Sequence, residues 1–357
     1  MSLQSDMLAQ SDMLACREMI KEGSHTFHAA SLVLPRRISD PAIALYAFCR
    51  VADDAVDLGL DRAAAVEVLK DRLDRACRGV PRAYPSDRAF ADVVARFSIP
   101  SAIPEALIEG LEWDAQGRRF ETLSDLYSYC ARVAGTVGVM MTLVMGQRKP
   151  DIVARACDLG CAMQLTNIAR DIGEDARNGR IYMPLSWMRE AGIDPEDWLA
   201  DPKFTPEIAS IVKRLIDTAD ALYDRATLGI ANLPRSCRPG IFAARALYAE
   251  IGREVERSGL DSVSSRAVVS TGRKLAVLAR LLAFQETEWA PAKYLPAKFG
   301  DSDMEETKFL VDAVIAHPVR ELQPRRKVKP LEQKVAWLVD LFTRLERRDQ
   351  MLQRSRV

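Results

Sequence analysis

The sequence predicts an all-α fold. Three observations carry this: apolar residues recur at helical spacing from about Ala15 onward, alternating Val/Ile/Thr runs bounded by turn residues are almost absent, and prolines break the pattern in only two long stretches. Apolar residues make up 48% of the 357 positions, which supports a sizeable core and excludes global disorder. At ~150 residues per domain the length suggests two domains. No composition shift marks a boundary, so one large domain over 16–290 with a C-terminal appendage over 291–357 is expected.

The first fifteen residues stand apart. Gln4 to Ala9 and Gln10 to Ala15 both read QSDMLA. A hexapeptide repeated without drift reads as a disordered or artificially added N-terminus, too short for a repeat fold. Asp40 followed by Pro41 is a helix-start signal, and helical spacing runs from Pro41 to Leu58. Further helices are expected near 61–78, 86–97, 104–118, 123–146, 150–176, 205–231, 237–258 and 271–287. Pro184, Pro195, Pro202 and Pro206 then mark a long connection with short helical pieces. A second break runs from Pro291 to Pro330 and holds the basic run Arg325-Arg326-Lys327. The chain closes on an amphipathic helix striped by Leu331, Val335, Leu338, Leu341, Phe342 and Leu345.

Lys plus Arg and Asp plus Glu are both 50, so there is no general basic field, and a nucleic-acid partner is not expected. The seven cysteines form no Cys-x-x-Cys, and several fall in apolar helical stretches. They read as reduced core thiols of a cytoplasmic protein. The stretch Ala134 to Gly146 is apolar but too short to span a bilayer, although surface attachment needs no spanning segment.

Two acidic clusters are candidates for chemistry: Asp53, Asp54 and Asp57 in YAFCRVADDAVD, and Asn167, Asp171, Glu174 and Asp175 in QLTNIARDIGED. On a helix Asp53 and Asp57 share a face that Tyr46 and Arg50 extend. Asn167, Asp171 and Asp175 share another, with Gln164 above it. About seven acidic i,i+4 pairs are expected by chance in such a chain, so spacing alone also suits a solvated or ion-paired face. The neighbouring apolar stretches raise these two, because unpaired buried carboxylates are costly. A hard divalent cation is the natural partner: Mg2+ takes oxygen ligands and bridges carboxylates to substrate phosphates. Arg50 and Arg170 suit anionic oxygens.

Other chemistries fit worse. There is no phosphate-binding Gly-rich loop and no dinucleotide fingerprint, and the three histidines form no di-iron or zinc pattern. Met140, Met141 and Met145 read as core filler.

On these residues the chain resembles the squalene/phytoene synthase family, most closely its members from carotenoid-making photosynthetic bacteria. The likeness runs from about Glu18 to Leu282. It rests on YAFCRVADDAVD and QLTNIARDIGEDARNGRIYMP, supported by GSHTFHAASLVLP, YCARVAGTVG and SSRAVVSTGRKL. It implies an all-α class I isoprenoid synthase fold around a central apolar cavity. It implies that Asp53, Asp54 and Asp57 and then Asn167, Asp171 and Asp175 bind Mg2+, with Mn2+ as a substitute. It implies that Ser24, His25, Arg50 and Arg266 contact diphosphate. Tyr248 matches a later pocket position, and Gln164 and Tyr129 match cavity-lining ones. Tyr46 lies at the same cavity. Ala134 and Gly138 suit either a cavity wall or close helix packing.

The implied reaction is a prenyl transfer that joins two geranylgeranyl diphosphates head to head through prephytoene diphosphate to phytoene. No NADPH is expected. The alternatives are dehydrosqualene, squalene or hydroxysqualene formation from farnesyl diphosphate, or a non-catalytic family member. The apolar product suggests handover to a phytoene desaturase. The basic run and last helix suggest peripheral contact with the inner face of the cytoplasmic membrane, against a tail packed on its own domain.

Overall fold

The computed structural model describes residues 3–23, 34–58, 61–283 and 303–317. Its elements are α1 (Leu3–Gly23), α2 (Arg36–Leu58), α3 (Arg62–Cys77), α4 (Pro85–Phe97), α5 (Ala102–Ala115), α6 (Leu123–Cys130), a π-helical turn (Ala131–Gly135) and α7 (Thr136–Val144). There follow α8 (Pro150–Arg177), α9 (Leu185–Glu190), α10 (Pro195–Ala200), α11 (Pro206–Asn232), α12 (Arg238–Arg257), α13 (Thr271–Ala283), a 3-10 turn (Glu305–Thr307) and α14 (Lys308–Ile315). Among the described residues there is no strand.

Local chemistry sets many of these starts. Asp61 caps α3 through the Ala64 N–H, Thr122 and Asp125 form a capping box on α6, and Thr205 caps α11 ahead of Pro206. The start expected at Pro41 lies earlier. The Pro35 carbonyl accepts from the Ile38 and Ser39 N–H groups, both at 2.8 Å, and Pro41 sits inside α2.

Residues 1–15 also differ from expectation, because α1 takes in both copies of the hexapeptide. Asp12, Cys16 and Ile20 are spaced four apart and so share one helix face. Cys16 and Ile20 are fully buried, and Asp12 accepts from Arg88 Nε of α4 at 2.8 Å. The second copy of the repeat is thus part of the packed molecule.

At the centre α8 and α11 pair antiparallel: Thr166 meets Tyr223 hydroxyl to hydroxyl at 3.0 Å, and Asp158 meets Arg225 at 3.1 Å. The π-turn and α7 lie against the other side of α8. That approach needs glycine. A Cβ on Gly138 would fall 2.4 Å from the Ala156 carbonyl oxygen, and one on Gly160 would fall 2.4 Å from that of Ala134. Part of the break expected from Pro291 onward is also helical. In α14, Leu310, Val311 and Val314 are buried and join the main core. All seven cysteines are free, and five are buried. The expected final helix at 331–345 and the basic run lie outside the described residues.

Candidate active site

Helices α2, α7, α8, α11 and α12 and the π-turn enclose an apolar cavity of about 300 Å³. On α8 its wall is one stripe from Ile152 through Arg155, Leu159 and Met163 to Asn167, a span of ~22 Å along the helix axis. Val133, Ala134, Val137, Gly138, Met141 and Met145 form the facing wall. Ala134 and Gly138 therefore serve both readings, cavity wall and close packing. Met140 is fully buried core, while Met141 and Met145 face the cavity.

Polar groups gather at one end: Tyr46 of α2, Gln164 and Asn167 of α8 and Tyr248 of α12 all line it. Burial pushes the Tyr46 phenol up to about 12 and also raises that of Tyr248, so both stay protonated at neutral pH. The two acidic faces continue outward from this end.

On α2, one turn beyond Tyr46, Arg50 donates to Asp54 Oδ2 through Nε at 3.0 Å and pairs with Oδ1 at 2.6 Å. Asp53 lies 3.9 Å from the same guanidinium. Asp57 falls in the last two turns of α2, with its side chain outside the described residues, as are Ser24 and His25.

On α8, Asp171 is one turn beyond Asn167. Arg170 Nε donates to its Oδ1 at 2.7 Å, and Arg266 Nε donates to the same oxygen at 2.7 Å. Burial alone would raise this carboxyl, but the two guanidiniums outweigh it and hold it below the usual range. Arg266 also reaches Glu174 at 3.3 Å.

Gly173 makes the Arg266 contact possible. Its N–H donates to the Ser262 carbonyl at 2.9 Å, and a Cβ there would fall 2.1 Å from the Val263 carbonyl oxygen. The 258–270 loop thus lies directly on the α8 backbone.

Asp175, one further turn on, borders a separate small void with Arg180 and Tyr182. Its carboxyl is pushed up to about 7, first by burial and then by the charge of Asp171. That is the condition a divalent cation relieves: half-buried carboxylates crowding one another beside neutral oxygen donors. Among the described residues no three His, Cys, Asp or Glu side chains already form a metal cage. Arginines hold the carboxylates instead. The donor set, all oxygen and acid-rich, fits Mg2+ rather than a soft metal.

Tyr129 is a correction. Instead of lining the cavity it is buried and donates to Asp114 Oδ2 at 2.8 Å, while Tyr182 donates to Oδ1 at 2.6 Å. Phe120, Tyr129 and Tyr182 pack ring on ring around this carboxylate. The π-turn that begins two residues later widens the helix and breaks the regular phase between Tyr129 and the wall at Val133 and Val137. Sequence reasoning missed Asp114, which nothing in LEWDAQ marks out. It also missed Asp158, whose setting within RACDLGCAM does signal a buried acid in need of partners.

The squalene/phytoene synthase family profile matches residues 20–273. Phytoene synthase of Rhodobacter capsulatus is 52% identical over 90% of this chain and 94% of its own length. That of Cereibacter sphaeroides is 46% identical over 98% of each. Among solved structures, a dehydrosqualene synthase in complex with ligand aligns with a TM-score of 0.72 at 31% identity, covering 78% of this chain and 98% of that one.

The chain belongs to the squalene/phytoene synthase family. Its fold is the all-α fold of that family's solved members. Squalene/phytoene synthases act on allylic diphosphates and generally need a divalent metal. The matched span takes in both acidic helices, the cavity and Arg266, and it leaves residues 303–317 outside. No helix among the described residues is long and apolar enough to cross a membrane.

Proposed function

We propose that this chain condenses two geranylgeranyl diphosphates head to head to phytoene through prephytoene diphosphate, the first committed step of carotenoid synthesis. It acts as a prenyltransferase. The observation that carries this reading is one long apolar cavity whose polar end opens between two acid-and-arginine helix faces.

Asp53, Asp54 and Asp57 on α2 and Asn167, Asp171 and Asp175 on α8 would hold Mg2+, with Mn2+ as a substitute. When bound, the metal offsets the charge that develops as diphosphate leaves. Arg50 and Arg266 exchange part of their pairing with Asp54 and Asp171 for diphosphate oxygens, and Ser24 and His25 add contacts from the N-terminal side. The protonated Tyr46 and Tyr248 hydroxyls orient the head end of the substrate. The walls from Val133 to Met145 and along α8 keep water away from the allylic cation until the second substrate's double bond attacks it. Proton loss closes a cyclopropane. A second ionisation, rearrangement and proton loss then give phytoene. Because the last step loses a proton rather than gaining hydride, no NADPH is used.

The product is wholly apolar, so a desaturase taking it over at the inner face of the cytoplasmic membrane fits its chemistry. The basic run at Arg325 to Lys329 would supply peripheral contact. The test is product formation from geranylgeranyl diphosphate before and after chelation. Chelation should abolish turnover and Mg2+ or Mn2+ should restore it; turnover that survives exhaustive chelation would overturn the metal assignment.

A further inference from the structure

The wall of the cavity away from the acidic rim includes an arginine, one turn from the last lining residue of α8, Ile152. Arg155 lines the wall 16 residues before Asp171, ~24 Å away along the α8 axis. A guanidinium beside hydrocarbon space is costly unless paired. Here it is drawn out of the cavity: Nε lies 2.8 Å from Asp158 Oδ2, and Nη2 donates to Asp303 Oδ1 at 2.9 Å. Asp158 is 1% exposed and is shared with Arg225 of α11. Gly229 of α11 leaves room for the arginine stem, since a Cβ there would fall 2.3 Å from Arg155 Cβ. The methylene stem thus faces the cavity while the charge points away from it.

Asp303 precedes the 3-10 turn and α14, and this part of the chain is anchored in its own right. Met304, Leu310, Val311 and Val314 are buried. Glu306 accepts from the Ser124 hydroxyl at 2.6 Å, and the His317 carbonyl accepts from Arg148 at 3.2 Å. Leu310 backs Gly135, the neighbour of the wall residue Ala134. The segment therefore supports the cavity wall from outside and fixes the position of Asp303.

We infer that the Asp303–Arg155 pair is a length stop: the C-terminal segment holds the Arg155 stem in the far wall of the cavity, one turn from the last lining residue of α8, Ile152, and so limits the prenyl tail that fits. This rests on the reading that the cavity holds prenyl tails headed at the acidic rim. Breaking the pair frees the stem to swing aside, and removing the stem deepens the cavity. Either change favours a tail one isoprene unit longer.

The experiment compares kcat/KM for the C15, C20 and C25 all-trans prenyl diphosphates in wild type, Asp303→Ala and Arg155→Ala. The readout is the C25-to-C20 ratio, which does not depend on the fraction of folded enzyme. Arg155→Ala is expected to raise it by about tenfold or more, and Asp303→Ala by about threefold or more with C20 turnover near wild type. Asp303 has a half-exposed side chain, so its variant decides the matter even where Arg155→Ala fails to fold. A ratio unchanged in Asp303→Ala overturns the stop while leaving C40 synthesis intact. A wild type that makes no C40 hydrocarbon breaks the underlying reading instead.

Discussion

The carboxylate of Asp171 accepts two hydrogen bonds from Arg266, 95 positions further along the chain, at 2.7 and 3.3 Å. The contact exists because Gly173, two residues beyond Asp171, lets the 258–270 loop lie on the α8 backbone. A residue without a side chain thus positions a cation over Asp171, one of the proposed metal ligands.

Gly173→Ala should therefore damage function more than fold. The added methyl must displace the Val263 carbonyl, at a cost of about 1–3 kcal/mol. Because the loop carries Arg266, kcat/KM should fall by about tenfold or more. Steady-state kinetics beside thermal denaturation checks this; wild-type kinetics would show that the loop contact is irrelevant to catalysis.

Asp171→Asn keeps the shape but removes the charge. Turnover should drop by about a hundredfold or more, as for loss of a metal-bound carboxylate, with an unchanged far-ultraviolet circular dichroism spectrum. Near-normal turnover would exclude Asp171 from the metal site.

Gly138→Ala tests the wall. Its Cβ would fall 2.4 Å from a backbone oxygen of α8, so α7 must move outward. We expect a loss of about 1–3 kcal/mol, read as a Tm lower by several degrees. An unchanged Tm would mean that the α7–α8 approach is looser than described.

Glu250 gives a pH test away from the two acidic helix faces. Its Oε1 accepts from Arg257 of α12 and Arg273 of α13, both at 2.7 Å. Burial alone would raise its carboxyl, but the two arginines outweigh that and hold it below the usual range. A lowered acid stabilises the fold above its ordinary value of ~4.3 and loses that effect as pH falls through the lower folded value. Glu250→Gln should therefore cost about 1–2 kcal/mol at pH ~7, and the gap to wild type should shrink below pH ~4. A gap that stays constant to pH ~3 would contradict the pairing.

Most helices were legible because their apolar spacing and their caps agree, as at Asp61, Thr122 and Pro206. Both acidic faces were legible because i,i+4 spacing survives intact in regular helices such as α2 and α8. Tyr129 was misplaced where regularity ends, at the π-turn. The packing of α1 was hidden by a repeat that invites dismissal, although Asp12, Cys16 and Ile20 already share a face. Helix α14 was hidden by its proline-rich surroundings. The links from Asp114 to Tyr129 and from Asp303 to Arg155 are tertiary, and residue spacing carries no trace of them.

The most direct measurement incubates the purified protein with geranylgeranyl diphosphate and Mg2+, without NADPH, and identifies the hydrocarbon by chromatography and mass spectrometry. The account predicts phytoene, in a yield that NADPH does not change. A product formed only from farnesyl diphosphate, or one that requires NADPH, would contradict it.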